Sequence, residues 1–275
     1  MKLLLHACCG PCSLMPSKLL AAEGCEPTLF YSNSNIHPPD EYARRLSTLR
    51  CWADGAGLPV VEDAYDPQAW ERTAGLVGQR ALDAAAAQRA DGGAAPGDER
   101  TAGAAACPAV DPEMRQARCR ACYRLRLERA AAFAAREGFE GLSTTLTVSP
   151  YQYTDVIGEE LARAAAPFGL AVVFRDFRPF YDEATRESRA LGMYRQNYCG
   201  CRFSQQEAAA EREQRKAARA AEREAYRAEH AEELAAEQAA RARRAQQRAE
   251  YDAKQARKRA VLKALREQNK RQKES

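Results

Sequence analysis

Lys2-Leu3-Leu4-Leu5-His6-Ala7-Cys8-Cys9-Gly10-Pro11-Cys12-Ser13 is the stretch on which the fold turns. Its apolar run is short and reads as a buried strand, Lys2–Ala7, that leads straight into three cysteines. A helix follows, with Ser13 as its N-cap and Gly24 as its stop. Working outward, Pro27–Ser32, Leu58–Glu62, Phe139–Thr145 and Leu170–Phe174 have the composition of strands. Asp40–Ala53, Cys119–Arg136, Tyr151–Ala165 and Asp182–Leu191 read as helices. In Asp40–Ala53 the apolar residues Tyr42, Leu46, Leu49 and Trp52 recur at three or four. Strands alternating with helices predict an α/β fold: a Rossmann-like, mostly parallel sheet with helices on both faces. Ligands of such sheets bind at the carboxyl ends of the strands, where the first strand delivers Cys8, Cys9 and Cys12.

The chain has 275 residues and is 45% hydrophobic, yet its mean hydropathy is −0.59, because much of the apolar count is alanine. Large aliphatic residues concentrate before about residue 205. The reading is a catalytic region over 1–203 and a charged Ala/Arg/Glu-rich extension over 204–275, a long helical or disordered tail. Within the first region, Gly75–Pro112 is rich in Ala, Gly, Asp and Arg, and reads as a low-complexity, partly disordered insertion. The net charge of +4 hides an asymmetry: 241–275 alone holds 13 Lys/Arg against 4 Asp/Glu. A basic extension suits a polyanion such as RNA, although a solvated charged helix has the same composition. No run approaches the ~20 apolar residues of a membrane span. With no membrane partner and no signal-peptide core, the expected location is cytoplasmic.

Ten cysteines in a reducing compartment point to metal or redox chemistry rather than structural disulfides. Seven are grouped: Cys8-Cys9-x-x-Cys12, Cys119-x-x-Cys122 and Cys199-x-Cys201. Thiolates suit zinc or iron–sulfur centres. Because the second pair is read as opening a long helix, whose N-terminus favours an anionic centre, a [4Fe–4S] cluster is preferred to zinc. Cys8, Cys9, Cys119 and Cys122 supply its four thiolates. Cys199 and Cys201 are read either as a strained, easily reduced pair or, with Cys12, as ligands of a second metal; Cys12 is equally read as a helix-start residue with no ligand role. Cys25, Cys51 and Cys107 are bystanders, with Cys51 in the core. His6 is a buried, satisfied histidine, and His37 is the candidate for proton transfer or substrate contact.

These residues resemble a known family. Leu3-Leu4-Leu5-His6-Ala7-Cys8-Cys9-Gly10-Pro11-Cys12 is similar to the opening of the QueH-type epoxyqueuosine reductases. Asn35-Ile36-His37-Pro38 with Glu41-Tyr42, and Arg118-Cys119-Arg120-Ala121-Cys122-Tyr123 with Arg126-Leu127, follow in family order. Ser143-Thr144-Thr145-Leu146 with Ser149-Pro150-Tyr151, and Asn197-Tyr198-Cys199-Gly200-Cys201 with Phe203-Ser204, complete the pattern. The resemblance implies an oxidoreductase for the last step of queuosine synthesis, removal of the epoxide oxygen of epoxyqueuosine at the wobble position of tRNA. It implies a cobalamin-independent enzyme with a [4Fe–4S] cluster on Cys8, Cys9, Cys119 and Cys122, and a redox-active pair at Cys199 and Cys201. Family members can have Asp in place of Cys12, the candidate ligand of an additional mononuclear iron. The electron donor is unidentified. Tyr151, Tyr153, Tyr198 and His37 are candidate proton donors or base-stacking groups, unranked by sequence.

Two other readings compete. A tRNA-thiolating ATP pyrophosphatase also joins a Rossmann-like sheet to iron–sulfur cysteines, but it needs a glycine-rich phosphate loop where this chain has Cys8 and Cys9. A non-enzymatic zinc-binding RNA adaptor would use the basic tail, and would contain zinc without iron.

Overall fold

A computed structural model of the chain describes residues 1–91 and 111–273. Five strands form one sheet: β1 Lys2–His6, β2 Glu26–Tyr31, β3 Val60–Glu62, β4 Gly141–Thr144 and β5 Ala171–Val172. Their order is β3-β2-β1-β4-β5, and every pairing is parallel. Strand β1 is the centre. Leu5 pairs with Leu29 of β2 on one side and with Ser143 of β4 on the other.

Alternation along β1 sends its side chains to two cores. Leu4 packs with Phe30, Leu127, Leu142, Ile157 and Leu161, under helices α5 (Pro112–Arg136) and α6 (Thr154–Ala165). Leu3 and Leu5 pack with Leu20, Leu29, Tyr31, Leu46 and Leu49, under α1 (Gly10–Ala22) and α2 (Pro39–Gly55), and Ala184 of α7 (Tyr181–Ala190) joins them. The doubly covered parallel sheet is the architecture expected. β2 and β4 leave β1 in opposite directions, so the strand order reverses at β1, and its carboxyl end is where sheets of this kind bind ligands.

Three local expectations are corrected. Ser13 is not the cap of α1: the helix begins at Gly10 after Cys9, and the Ser13 hydroxyl donates to the Cys9 carbonyl at 2.8 Å. Pro11 in the first turn costs no hydrogen bond there and presets the helical φ. Cys51 is exposed, since the buried positions of α2 are Glu41, Tyr42, Arg45, Leu46, Leu49 and Ala53, and Cys51 falls on the opposite face. Part of the Gly75–Pro112 stretch is regular structure: a π-helical turn, Glu71–Gly75, runs into α4, Leu76–Asp91. Its alanines are strong helix formers, and Ala81 and Ala85 are buried. Residues 92–110, with Cys107 and the rest of the expected insertion, lie outside the described residues.

Helix α5 begins seven residues before Cys119. Asp111 caps it, its Oδ1 accepting from the amides of Glu113 (2.8 Å) and Met114 (3.2 Å). The chain divides into two compact units, Met1–Glu211 and Arg212–Ser275. The second consists of the remainder of α8 (Arg202–Glu229) and α9 (Ala231–Lys273). No helix among the described residues is long and apolar enough to cross a membrane.

Candidate active site

The carboxyl end of β1 carries a group of thiols. Cys8, Cys9 and Cys12 have their sulfur atoms within 4.8 Å of one another, and among the described residues no other Cys, His or carboxylate group meets that spacing with a third. Cys8 and Cys9 lie in the turn between β1 and α1, and Cys12 lies in the first turn of α1. Neighbouring elements fix the turn. The Cys8 amide donates to Thr145 Oγ1 at 3.1 Å, and that hydroxyl donates to Cys8 Sγ at 3.4 Å. Asn33 Nδ2 donates to the Ala7 carbonyl at 2.9 Å. Gln196 Nε2 donates to Cys9 Sγ at 3.0 Å. Hydrogen bonds from Cys12 and Cys8, with that from Gln196, hold Cys9 well below the usual thiol range against the effect of burial. A thiol so inclined to ionise is suited to begin metal binding.

Four other cysteines form a second patch. Cys119 and Cys122 lie one helical turn apart on α5, while Cys199 and Cys201 lie just before the start of α8. Cys122, Cys201 and Phe203 pack with Trp70. Burial pushes Cys119 up to about 12, and the Cys199, Cys122 and Cys201 charges add to the rise. Burial and the Cys199 charge likewise push Cys201 up to about 11. The raised Cys119, Cys122 and Cys201 thiols would ionise more readily beside a cation. The helix-terminus argument for Cys119 and Cys122 does not survive: they lie more than one turn inside α5, where the macrodipole has faded, and Cys122 is also raised by burial. Their electropositive surroundings come from arginines instead.

Three of these arginines are 2% exposed. Arg118 stacks over Phe203 (5.1 Å) and binds Glu207 through Nη1 (2.7 Å) and Nη2 (3.0 Å). Arg45 of α2 donates to the Cys199 carbonyl (2.8 Å) and to Glu41 (2.7 Å). Arg126 donates to the Ser32 carbonyl (3.3 Å) and to Asn33 Oδ1, and lowers Cys122; among the described residues it pairs with no carboxylate. A buried guanidinium without a carboxylate partner needs negative charge nearby, and a thiolate-ligated metal centre supplies it. The donor set and its charge surroundings therefore fit a metal cofactor. Sequence reasoning missed Gln196, Arg45 and Gln152, whose Nε2 donates to Cys199 at 3.5 Å. Arg45 carried one signal, a cation inside the apolar stripe of α2.

Among the sequence candidates, His6 is fully buried between Thr144 Oγ1 (2.9 Å) and the Ser32 carbonyl (3.3 Å), and burial holds it neutral, near 3. His37 joins the second patch. Its amide donates to the Gly200 carbonyl (2.9 Å), and its ring lies 5.7 Å from that of Trp70. Its Nε2 is buried and 4.0 Å from Glu71, a residue held by Arg202 (3.0 Å); burial lowers its pKa.

The model of the family described as "Epoxyqueuosine reductase QueH" matches residues 3–85 and 104–207. The chain belongs to the epoxyqueuosine reductase QueH family. QueH relatives are similar over most of their length. The epoxyqueuosine reductase QueH of Dehalococcoides mccartyi is 28% identical over 75% of this chain and 93% of its own. That of Haemophilus influenzae is 28% identical over 78% of this chain and 75% of its own. That of Thermotoga maritima is 29% identical over 73% of this chain and 88% of its own. Both cysteine patches lie inside the matched QueH region, and the charged extension from residue 208 lies outside it. As a QueH family member the chain is an oxidoreductase, an epoxyqueuosine reductase.

Proposed function

We propose that this reductase acts on tRNA carrying epoxyqueuosine at the wobble position: two electrons and two protons remove the epoxide oxygen as water and leave the double bond of queuosine. Membership of the QueH family, with Cys8, Cys9 and Cys12 grouped at the carboxyl end of the central strand, carries this reading. In it, Cys8, Cys9, Cys119 and Cys122 hold a [4Fe–4S] cluster, which when bound supplies electrons one at a time. Cys12 is the candidate ligand of a mononuclear iron.

The remaining residues act through position and charge. Arg126, Arg118 and Arg45, themselves buried, offset thiolate charge, and Gln196 and Thr145 orient Cys9 and Cys8. Cys199, exposed and held by Arg45 through its carbonyl, is open to an incoming substrate; with Cys201 it serves as a redox-active pair or as ligands of the second metal. His37 is a candidate proton source. Family membership weighs against the thiolating ATP pyrophosphatase and the zinc adaptor.

The test is anaerobic reconstitution with iron and sulfide, followed by turnover on epoxyqueuosine tRNA with a chemical reductant. The expected result is queuosine formation by the wild type, with Cys119→Ala losing most of the iron–sulfur absorbance and the activity. A fully active iron-free protein, or a loaded wild type that leaves the epoxide intact, would end this reading.

A further inference from the structure

A protein acting on a base in an RNA loop holds unpaired bases on aromatic faces, which are sequence-tolerant platforms. Four side chains compete for that role in the sequence, and the structure separates them. Tyr198 is engaged: its hydroxyl donates to the His37 carbonyl, and its ring lies 5.1 Å from the Arg45 guanidinium. Tyr153 packs against the core under α5 and α6. His37 lies against Trp70. Tyr151 differs from all three. It is 71% exposed, and among the described residues its hydroxyl has no hydrogen-bond partner. Tyr181 meets it at 6.4 Å and 86°, an edge contact that braces the ring while leaving it open to solvent.

An exposed tyrosine alone carries no functional meaning. The anchoring of its neighbour does. Gln152 Nε2 donates to Cys199 Sγ (3.5 Å), and Gln152 Oε1 accepts from the buried Tyr123 hydroxyl (2.6 Å). The turn is pinned again at Ser149, which accepts from the Tyr151 amide through Oγ (3.3 Å) and from the Gln152 amide through its carbonyl (3.2 Å). The loop follows β4 at the carboxyl edge of the sheet. A fixed backbone therefore presents a free aromatic ring one residue from the side chain that touches the exposed thiol. We infer that Tyr151 is a stacking platform for an unpaired base of the tRNA, gripping the loop beside the nucleotide that enters the cysteine site. This rests on the tRNA reading above.

The experiment uses the full-length, anaerobically reconstituted protein with Tyr151→Ala, Tyr151→Phe and Tyr151→Trp. It measures Kd for tRNA, KM and kcat on epoxyqueuosine tRNA, and iron content. Tyr151→Ala should raise Kd and KM about 5- to 150-fold, the range for one base–aromatic stack, with kcat and iron unchanged. Tyr151→Phe and Tyr151→Trp should bind like the wild type. Wild-type affinity in Tyr151→Ala overturns the inference, as does a Tyr151→Phe variant that loses kcat at unchanged Kd, which would assign the hydroxyl to proton transfer. If the wild type turns over while Tyr151→Ala binds normally, only the platform fails. A wild type that binds tRNA without reducing it fails the reductase reading and leaves the platform to be judged on Kd. A wild type that binds no tRNA removes both.

Discussion

Glu207→Leu should destabilise the protein by about 3–5 kcal/mol, and Arg118→Met by only about 1–2 kcal/mol, although the two residues share one ion pair. The asymmetry follows from what each substitution leaves behind. Glu207 gives both carboxylate oxygens to Arg118, at 2.7 and 3.0 Å. Without it, among the described residues, a guanidinium 2% exposed keeps the Phe203 ring, Cys119 Sγ at 4.0 Å and the thiol of Cys201 nearby, with no carboxylate, and its Nε already lacks a partner. Removing Arg118 instead leaves a carboxylate whose side chain is 13% exposed and which still has Arg115 Nε at 3.3 Å. The double variant should recover most of the loss, since a buried pair replaced by apolar side chains is close to neutral. Trp70, buried against Phe203, reports on this patch by fluorescence during urea unfolding. Equal m-values across the set would license the comparison. A Glu207→Leu cost under about 1 kcal/mol, or an Arg118→Met cost exceeding it, would refute the reasoning. The pair also joins the cysteine helix α5 to the first turns of α8, so Glu207→Leu should lower iron retention along with stability.

Changing Cys199 or Cys201 to Ser should abolish epoxide reduction while the four-cysteine cluster survives; loss of about one iron per chain would assign them as ligands, and unchanged iron would assign them as a dithiol. Gln196→Leu should lower the midpoint potential of the centre, because a donor to Cys9 Sγ stabilises the more negative, reduced state; an unmoved potential in a redox titration would remove Gln196 from that role. Truncation after Glu211, the end of the first compact unit, should leave folding and iron content intact while weakening tRNA binding at low salt. The salt slope of log Kd should shrink by about 0.7 for each phosphate that the 241–275 segment neutralises, and identical slopes for both lengths would deny the tail any part in binding.

The sheet is legible in the sequence because each strand is a short apolar run bounded by turn residues, and because the runs alternate with helical periods. Boundaries drift where signals conflict. Asp111-Pro112 is a good helix start, yet the Arg, Gln and Met that follow lack an apolar stripe, so the pattern of α5 becomes readable only from Cys119 onward. Helix α4 escapes the sequence because alanine carries its packing, and alanine-rich sequence also resembles low complexity. The cysteine groups are legible from spacing alone, as is the edge of the sheet that receives Cys8 and Cys9. The groups that hold them are not: Arg45 reaches a carbonyl 154 residues away, and Gln196 a sulfur 187 residues away. No local pattern encodes such a hydrogen bond; only the closed fold does.

Gly200 separates two thiols that meet different worlds. Its φ of +139° is open to glycine alone, and a Cβ there would come within 3.0 Å of Asn35 and Ile36 and 3.3 Å of Arg45. The backbone reversal leaves Cys199 exposed and Cys201 6% exposed. A bulky alkylating reagent applied to the native protein would thus find one member of the pair and miss the other. If the pair is redox-active as proposed, an electron carrier docking from outside would meet the same restriction, with Cys199 as the accessible member. A side chain at position 200 would strain the link between the two thiols and press on Asn35, Ile36 and Arg45 without touching a single sulfur.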